Sequence, residues 1–510
     1  MGRSWVARVK LGTVLGLVLV VGGAPVGQPA SAADPIFRPG AASLGDALMP
    51  GLGNGGYDVG NYDIRLRWAP DTGRLNGRTT ITATATRNLS RFNLDFALPV
   101  TAVTVNGEPA TFTQRDWGDY VNHRELEVTP ARGLPAGTGM SVVVTYAGRP
   151  ADVMIEFYGS EWRSTPTGVI VWNEPDPSSE WWFPANAHPS DKATYDVRVT
   201  APAGLTAVTN GRLLSRVVNG DVATAHWRSD SPMATYLAML AIGDYTVETG
   251  TALGGSVPAY YAYETSNGVI NDRARRDISR TPEVLAFLQR KWGPYPFTAA
   301  GALVTGETFG SALETQTRPV YQGGRWRNST ENVWVVVHES AHQWYGDSVT
   351  ARTWSDLWLA EGFATYSEWE WSQAQSTGTP AELFDYYYAT APASLWESPL
   401  NAPFYPLDQS VYQRGAMLLQ ALRNRVGDAD FYRIMRTWAA RHRHGNADSA
   451  DFTAISTNLS GQNLTSFFQA WLYDARRPDP TVDNGFPTGA PAGKVSAPKA
   501  AAAIARSRAG

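Results

Sequence analysis

Through its first half the chain alternates apolar and polar residues with a period of two. Tyr62 to Trp68 reads Y-D-I-R-L-R-W, and Thr79 to Thr86 reads T-T-I-T-A-T-A-T. Successive side chains on a strand point to opposite faces, so such runs predict half-buried strands. Similar runs recur near residues 105, 145 and 198, punctuated by turn residues such as Asp71-Thr72-Gly73 and Asn106-Gly107. Strands at this spacing predict an antiparallel β domain, a sandwich or saddle, over residues 57–248. From Asp277 the period becomes helical: I-S-R-T-P-E-V-L-A-F-L-Q-R-K-W is closed by Gly293 and Pro294. A-A-G-A-L-V-T and S-A-L-E-T-Q-T-R-P-V-Y then read as strands. G-A-M-L-L-Q-A-L-R-N-R-V, F-Y-R-I-M-R-T-W-A-A-R and F-F-Q-A-W-L-Y-D read as helices, the last ending near residue 474. Residues 249–478 are thus expected to form a mainly helical second domain, making the chain α+β and multidomain. Residues 33–56, rich in Gly, Ala and Pro, are expected to be a flexible lead-in. Residues 479–510, of similar composition, are expected to be a disordered tail.

Composition narrows the function classes. The 510 residues carry a net charge of −4, which gives no reason to expect nucleic acid or an anionic membrane as partner. There is no cysteine, hence no disulfide and no thiolate metal ligand, so a zinc site must use histidine and carboxylate. Arg3, Arg8 and Lys10 precede an apolar run from Leu11 to Val21 that is short for a membrane span. Ala30-Ser31-Ala32 follows as a cleavage site. Residues 1–32 therefore read as a secretory signal, and the mature protein is expected to be secreted, free of the membrane and monomeric.

One stretch resists its own propensity. Residues 331–337 hold four valines and a tryptophan, which favour strand. They run directly into His338-Glu339-Ser340-Ala341-His342, an H-E-x-x-H pattern. Two histidines four apart reach one metal ion only from one face of a helix, so helix is the reading taken. Glu339 lies about 100° round that helix, suited to a metal-activated water and not to the metal. A catalytic zinc has three protein ligands, and Glu361, nineteen residues after His342, is the candidate third. The break at Ser348 to Thr353, with Ser355 as expected N-cap of a second helix, would turn the chain back over the histidines.

His338 to Gly346, H-E-S-A-H-Q-W-Y-G, and Leu357 to Ala364, L-W-L-A-E-G-F-A, resemble the zinc aminopeptidases related to aminopeptidase N and leukotriene hydrolase. That gluzincin family has an H-E-x-x-H, eighteen intervening residues, then a glutamate, and the spacing here matches. Ala360 departs from the asparagine usual before that glutamate. The resemblance covers roughly residues 57–478 and implies an N-terminal β domain before a thermolysin-like catalytic domain with one zinc. It also implies that Glu339 is the general base, and that Tyr412, in Y-Q-R-G with Arg414 and Gly415, stabilises the oxyanion. Glu314, in S-A-L-E-T, falls on the glutamate of the family's G-A-M-E-N segment and would bind the substrate ammonium, with Glu174 in W-N-E-P as a weaker second anchor. Ser311, Leu313 and Thr315 depart from that segment. Glu368, two turns beyond Glu361, is suited either to orienting a zinc histidine or to a solvated helix face. The other histidines have no ligand spacing, and His442 and His444 are expected at a solvated helix end.

The reading reached from the sequence is a secreted zinc aminopeptidase acting on peptides. An endopeptidase or epoxide hydrolase on the same scaffold, and a peptide-binding relative without chemistry, are the alternatives. Many relatives carry a further helical domain that roofs the cavity; none is expected after residue 478 here, so the cleft is expected to be more open.

Overall fold

The structure is a computed structural model that describes residues 36–116, 124–154, 160–172, 178–306, 311–327, 332–487 and 495–508. The alternation seen in the sequence is the burial pattern of the strands. In Lys192–Pro202 every second residue is buried, and in Tyr57–Ala69 the same alternation shifts once, at the bulge between Val59 and Asn61. An eight-stranded sheet runs in the order Arg212–Asn219, Val222–Ala234, Lys192–Pro202, Tyr57–Ala69, Arg74–Ala85, Gly139–Gly148, Val100–Val105, Glu108–Pro109. Two four-stranded sheets complete the β half. The large sheet is not wholly antiparallel, as the alternation led one to expect: Lys192–Pro202 lies parallel to Tyr57–Ala69 at its centre. Between these strands the chain builds strands of both smaller sheets. Alternation fixes which face of a strand is buried, not the direction of its neighbour.

A five-stranded sheet opens the second half, in the order Tyr245–Ala252, Val257–Glu264, Ala300–Thr305, Val320–Gln322, Ala312–Leu313. Its first strand crosses the expected boundary at residue 248. The run from Ser311 to Tyr321, read as one strand, is a hairpin of two short strands. Its turn holds Thr317 at φ 70°, with the Thr315 hydroxyl donating to the Arg318 carbonyl.

Ten helices follow among the described residues: α1 (Val269–Ile278), α2 (Thr281–Trp292), α3 (Val333–Ala341), α4 (Trp358–Ala374), α5 (Pro380–Thr390), α6 (Gln409–Val426), α7 (Asp428–Arg441), α8 (Ser449–Ser460), α9 (Thr465–Phe468) and α10 (Lys499–Arg508). All nine residues of α3 are buried. Residues 333–337, enclosed on every side, show no polar face, which is why these valines mimic a strand in sequence. Ser355 is not an N-cap: it lies in a 3-10 turn, Trp354–Asp356, and α4 begins beyond it without a side-chain cap. The chain is held there by tertiary bonds, the Asp356 carboxylate accepting from the Ser449 amide and hydroxyl.

Both expected loose ends are corrected where they are described. In the lead-in, the Asp46 carboxylate accepts from the amides of Leu48, Met49 and Trp354, and Leu52 and Asn54 are buried. The Asn54 side-chain amide donates to Asp95 at 2.9 Å. In the tail, α10 packs on α3 and α4, burying Ala500, Ala501 and Ile504. Small residues scored both segments as unable to order themselves. They are ordered by partners far away in sequence, and alanine is the best helix former.

Candidate active site

Helix α3 delivers His338 and Glu339, and His342 follows at its C-cap with φ −56° and ψ −26°, still helical. The fourfold spacing therefore holds although the helix ends at Ala341. Gly346 makes the turn that follows, at φ +127°. A Cβ there would lie 3.1 Å from His342 Nδ1 and 3.3 Å from the Cβ of Ala360, so Gly346 is required by both backbone and space. Glu361 sits in the first turn of α4. Its Oε2 is 3.1 Å from His338 Nε2 and 3.4 Å from His342 Nε2.

The far nitrogens of both imidazoles are already engaged. His338 Nδ1 is 2.7 Å from Glu368 Oε1, and His342 Nδ1 is 3.0 Å from the carbonyl of Tyr345. Each ring is thus oriented so that Nε2 faces the centre. The ligand atoms of His338, His342 and Glu361 lie within 4.8 Å of one another, all buried. A tetrahedral ion about 2.1 Å from each ligand separates ligands by about 3.4 Å, so the donor set fits zinc. The electrostatics agree. Burial opposes charge on His338, but Glu361 and Glu368 outweigh it and lift the group to about 9. Burial opposes charge on His342 as well, and Glu361 and Glu314 lift it to about 10. Burial also works against Glu361, yet the two histidines hold it well below the usual carboxylate range. The cluster is built around a positive charge.

The remaining groups gather round one cavity of about 200 Å³. Glu339 faces it, and burial pushes its carboxyl up to about 7 against the pull of the histidines and Arg325. Tyr412 lines it from α6, its ring stacked on that of His338 at 6.0 Å between centroids. Gly415 sets that approach: a Cβ there would stand 2.8 Å from the Cα of Gly362, so α6 and α4 cross backbone to backbone. Arg414 points away from the chemistry. It is fully buried and donates to the carbonyls of Ser398, Trp471 and Asp474. Glu314 lines the cavity from the end of strand Ala312–Leu313, and burial raises its carboxyl. Glu314, Glu339 and His342 have ligand atoms within 4.8 Å of one another. Tyr236 reaches the cavity from the β half. Glu174 lies outside the described residues. Of the two readings of Glu368, the geometry favours the one that orients a histidine, since the side chain is buried against His338.

Two participants escaped sequence reasoning. Gln343 Nε2 donates to the Glu314 carbonyl at 3.1 Å and its Oε1 accepts from the Thr317 amide at 2.8 Å, joining the metal helix to the hairpin. Its place beside His342 was the available signal. Arg325 also lines the cavity, from the 3-10 turn Gly323–Trp326, and no local pattern marks it.

The chain matches the model of the Peptidase M1 N-terminal domain over residues 59–237 and that of the Peptidase family M1 domain over residues 317–398 and 400–471. It is similar to Aminopeptidase M1-B of Oryza sativa subsp. japonica, 26% identical over 444 residues that cover 81% of this chain and 49% of that protein. It is 26% identical to Aminopeptidase M1 of Arabidopsis thaliana over 66% of this chain and 40% of that protein. The chain thus spans about half the length, or less, of these curated relatives. Among solved structures, the M1 zinc metallopeptidase from Deinococcus radiodurans is 29% identical with a TM-score of 0.73, covering 86% of this chain and 100% of that one. A mutant form described as a two domain M1 zinc metallopeptidase, bound to L-arginine, has a TM-score of 0.74 at 29% identity, covering 86% of this chain and 99% of that one.

Proposed function

The chain belongs to the peptidase M1 family, and on that premise we propose that it is a zinc-dependent aminopeptidase removing N-terminal residues from peptides. The observation that carries the reading is one cavity lined by the zinc-type triad, a buried glutamate beside it, and a second carboxylate in Glu314. His338, His342 and Glu361 would hold the zinc, which when bound would supply Lewis acidity and lower the pKa of a water. Glu339, raised by burial towards neutrality, takes the proton of the attacking water and returns it to the leaving amine. Tyr412 donates its hydroxyl to the carbonyl oxygen as charge develops there. Glu314 would pair with the ammonium of the first residue and so hold the next peptide bond near Glu339 and Tyr412. Its burial disfavours an unpaired charge, and an ammonium relieves that penalty.

The test is a matched pair of peptides, one free and one N-acetylated. Acetylation removes the charge that Glu314 reads, so kcat/KM should fall at least ~10³-fold, each 1.36 kcal/mol being tenfold. Glu314→Ala should depress cleavage of the free peptide with zinc retained. Equal rates on both peptides in the wild type would make the protein an endopeptidase and end the proposal. Secretion is part of the same reading, supported by the charged, apolar and small-residue sequence of residues 1–32. N-terminal sequencing of protein from the culture medium should begin at Ala33; intact protein confined to cells would sink it.

A further inference from the structure

The edge strand beside the cavity carries opposite charges at its two ends. Ala312 pairs with Tyr321 and Leu313 with Val320, so Glu314 leaves the hairpin at its turn end. Gln322 then bonds back to Ser311, its amide donating to the Ser311 carbonyl and its Oε1 accepting from the Ser311 amide. Arg325 follows in the next turn, beyond the opposite end of the strand. From Glu314 back to Ser311 the strand advances roughly 10 Å at about 3.3 Å per residue. Ser311, Ala312 and Leu313 all line the cavity between the two charges.

The turn that bears Arg325 is anchored. Trp326 Nε1 donates to Asp277 at 2.8 Å, the Asn332 amide donates to the same carboxylate oxygen at 2.8 Å, and the Asn332 side chain donates to the Arg325 carbonyl. Apart from the zinc-type histidines, Arg325 is the one basic side chain among the described residues lining the cavity. Four carboxylates line the same cavity: Glu314, Glu339, Glu361 and Glu368. Among the charges felt by Glu339 is that of Arg325. At about 200 Å³ the cavity is smaller than the roughly 300–1,000 Å³ of typical ligand pockets, which suits a short substrate.

We propose that Arg325 is a specificity residue that pairs with a carboxylate on the leaving side of the scissile bond, so that the site favours short peptides with a free C-terminus. The proposal rests on the aminopeptidase reading above. A dipeptide bound with its ammonium on Glu314 and its peptide carbonyl at the metal directs its C-terminal carboxylate away from Glu314, towards the guanidinium. A planar guanidinium suits a carboxylate because it donates two parallel bonds.

The test compares Leu-Gly with Leu-Gly-amide, using leucine p-nitroanilide as a substrate without a carboxylate, on wild type, Arg325→Gln and Arg325→Lys. Wild type should prefer the acid by roughly tenfold to a hundredfold in kcat/KM, the range of a hydrogen bond to a charged group. Most of this should appear in KM. Arg325→Gln should bring the acid-to-amide ratio of kcat/KM to about one, whatever it does to the rate on the p-nitroanilide, and Arg325→Lys should keep part of the preference. No preference in the wild type overturns the proposal without needing any variant. An equal loss on all three substrates in Arg325→Gln, with zinc retained, makes Arg325 a partner of Glu339 and overturns it too. Hydrolysis of none of the three by zinc-loaded wild type is a different failure: it removes the aminopeptidase reading itself.

Discussion

The two poles of the cavity are built differently. The metal pole stands on helices α3 and α4, and each imidazole is fixed by a second bond, to Glu368 or to the Tyr345 carbonyl. The substrate pole stands on a hairpin of two short strands, and Glu314 and Arg325 take their places from strand pairing and a turn. Geometry at the first pole is set by helical spacing along α3 and along α4 and by the packing of the two helices. Geometry at the second exists only once the sheet has formed. Damage at the metal pole should remove chemistry, and damage at the hairpin should alter which substrate is held.

The largest effect expected is at the metal. A chelator should abolish activity and added zinc should restore it. His338→Ala should lose the zinc, whereas Glu339→Gln should keep it and lose roughly 10²–10⁴ in kcat, the usual contribution of a general base. Equal zinc loss in both variants would strip Glu339 of its role as base. Next is Tyr412→Phe, which removes a donor needed only as charge develops. Its kcat should fall roughly 10²–10³-fold with little change in KM. A kcat near that of the wild type would leave Tyr412 as packing against His338.

Glu368→Gln tests the second bond on His338. Zinc affinity should weaken roughly 10–100-fold, measured by competition with a chromophoric chelator. Unchanged affinity would mean that α3 alone orients the ring. The smallest effect belongs to Gln343, where the poles meet. Gln343→Ala frees the hairpin from the metal helix, so KM for free peptides should rise about tenfold with zinc content unchanged. Loss of zinc in that variant would show the poles to be one unit and erase the distinction drawn here.

The same contrast explains what could be read in advance. His338, His342 and Glu361 were legible because helical spacing converts sequence distance into direction, and Glu368 followed two turns on. The strands of the β half were legible because alternation is their burial pattern. The parallel pairing of Lys192–Pro202 with Tyr57–Ala69 was not, since nothing within either strand records its neighbour. Glu314 was reached only by resemblance, and Arg325 not at all. Asp46 and α10 were hidden by their Gly, Ala and Pro surroundings. Their order comes from Trp354 in one case and from α3 in the other.

The seat of α10 has a further consequence for how the molecule is made. Synthesis delivers α3, buried along its whole length in the folded protein, well before the helix that covers part of it. Contacts so distant in sequence form slowly, and domains emerging from the ribosome fold in order from the N-terminus. The metal helix must therefore wait with an exposed apolar flank until Lys499–Arg508 arrive. That interval is when the chain is most open to proteolysis and self-association.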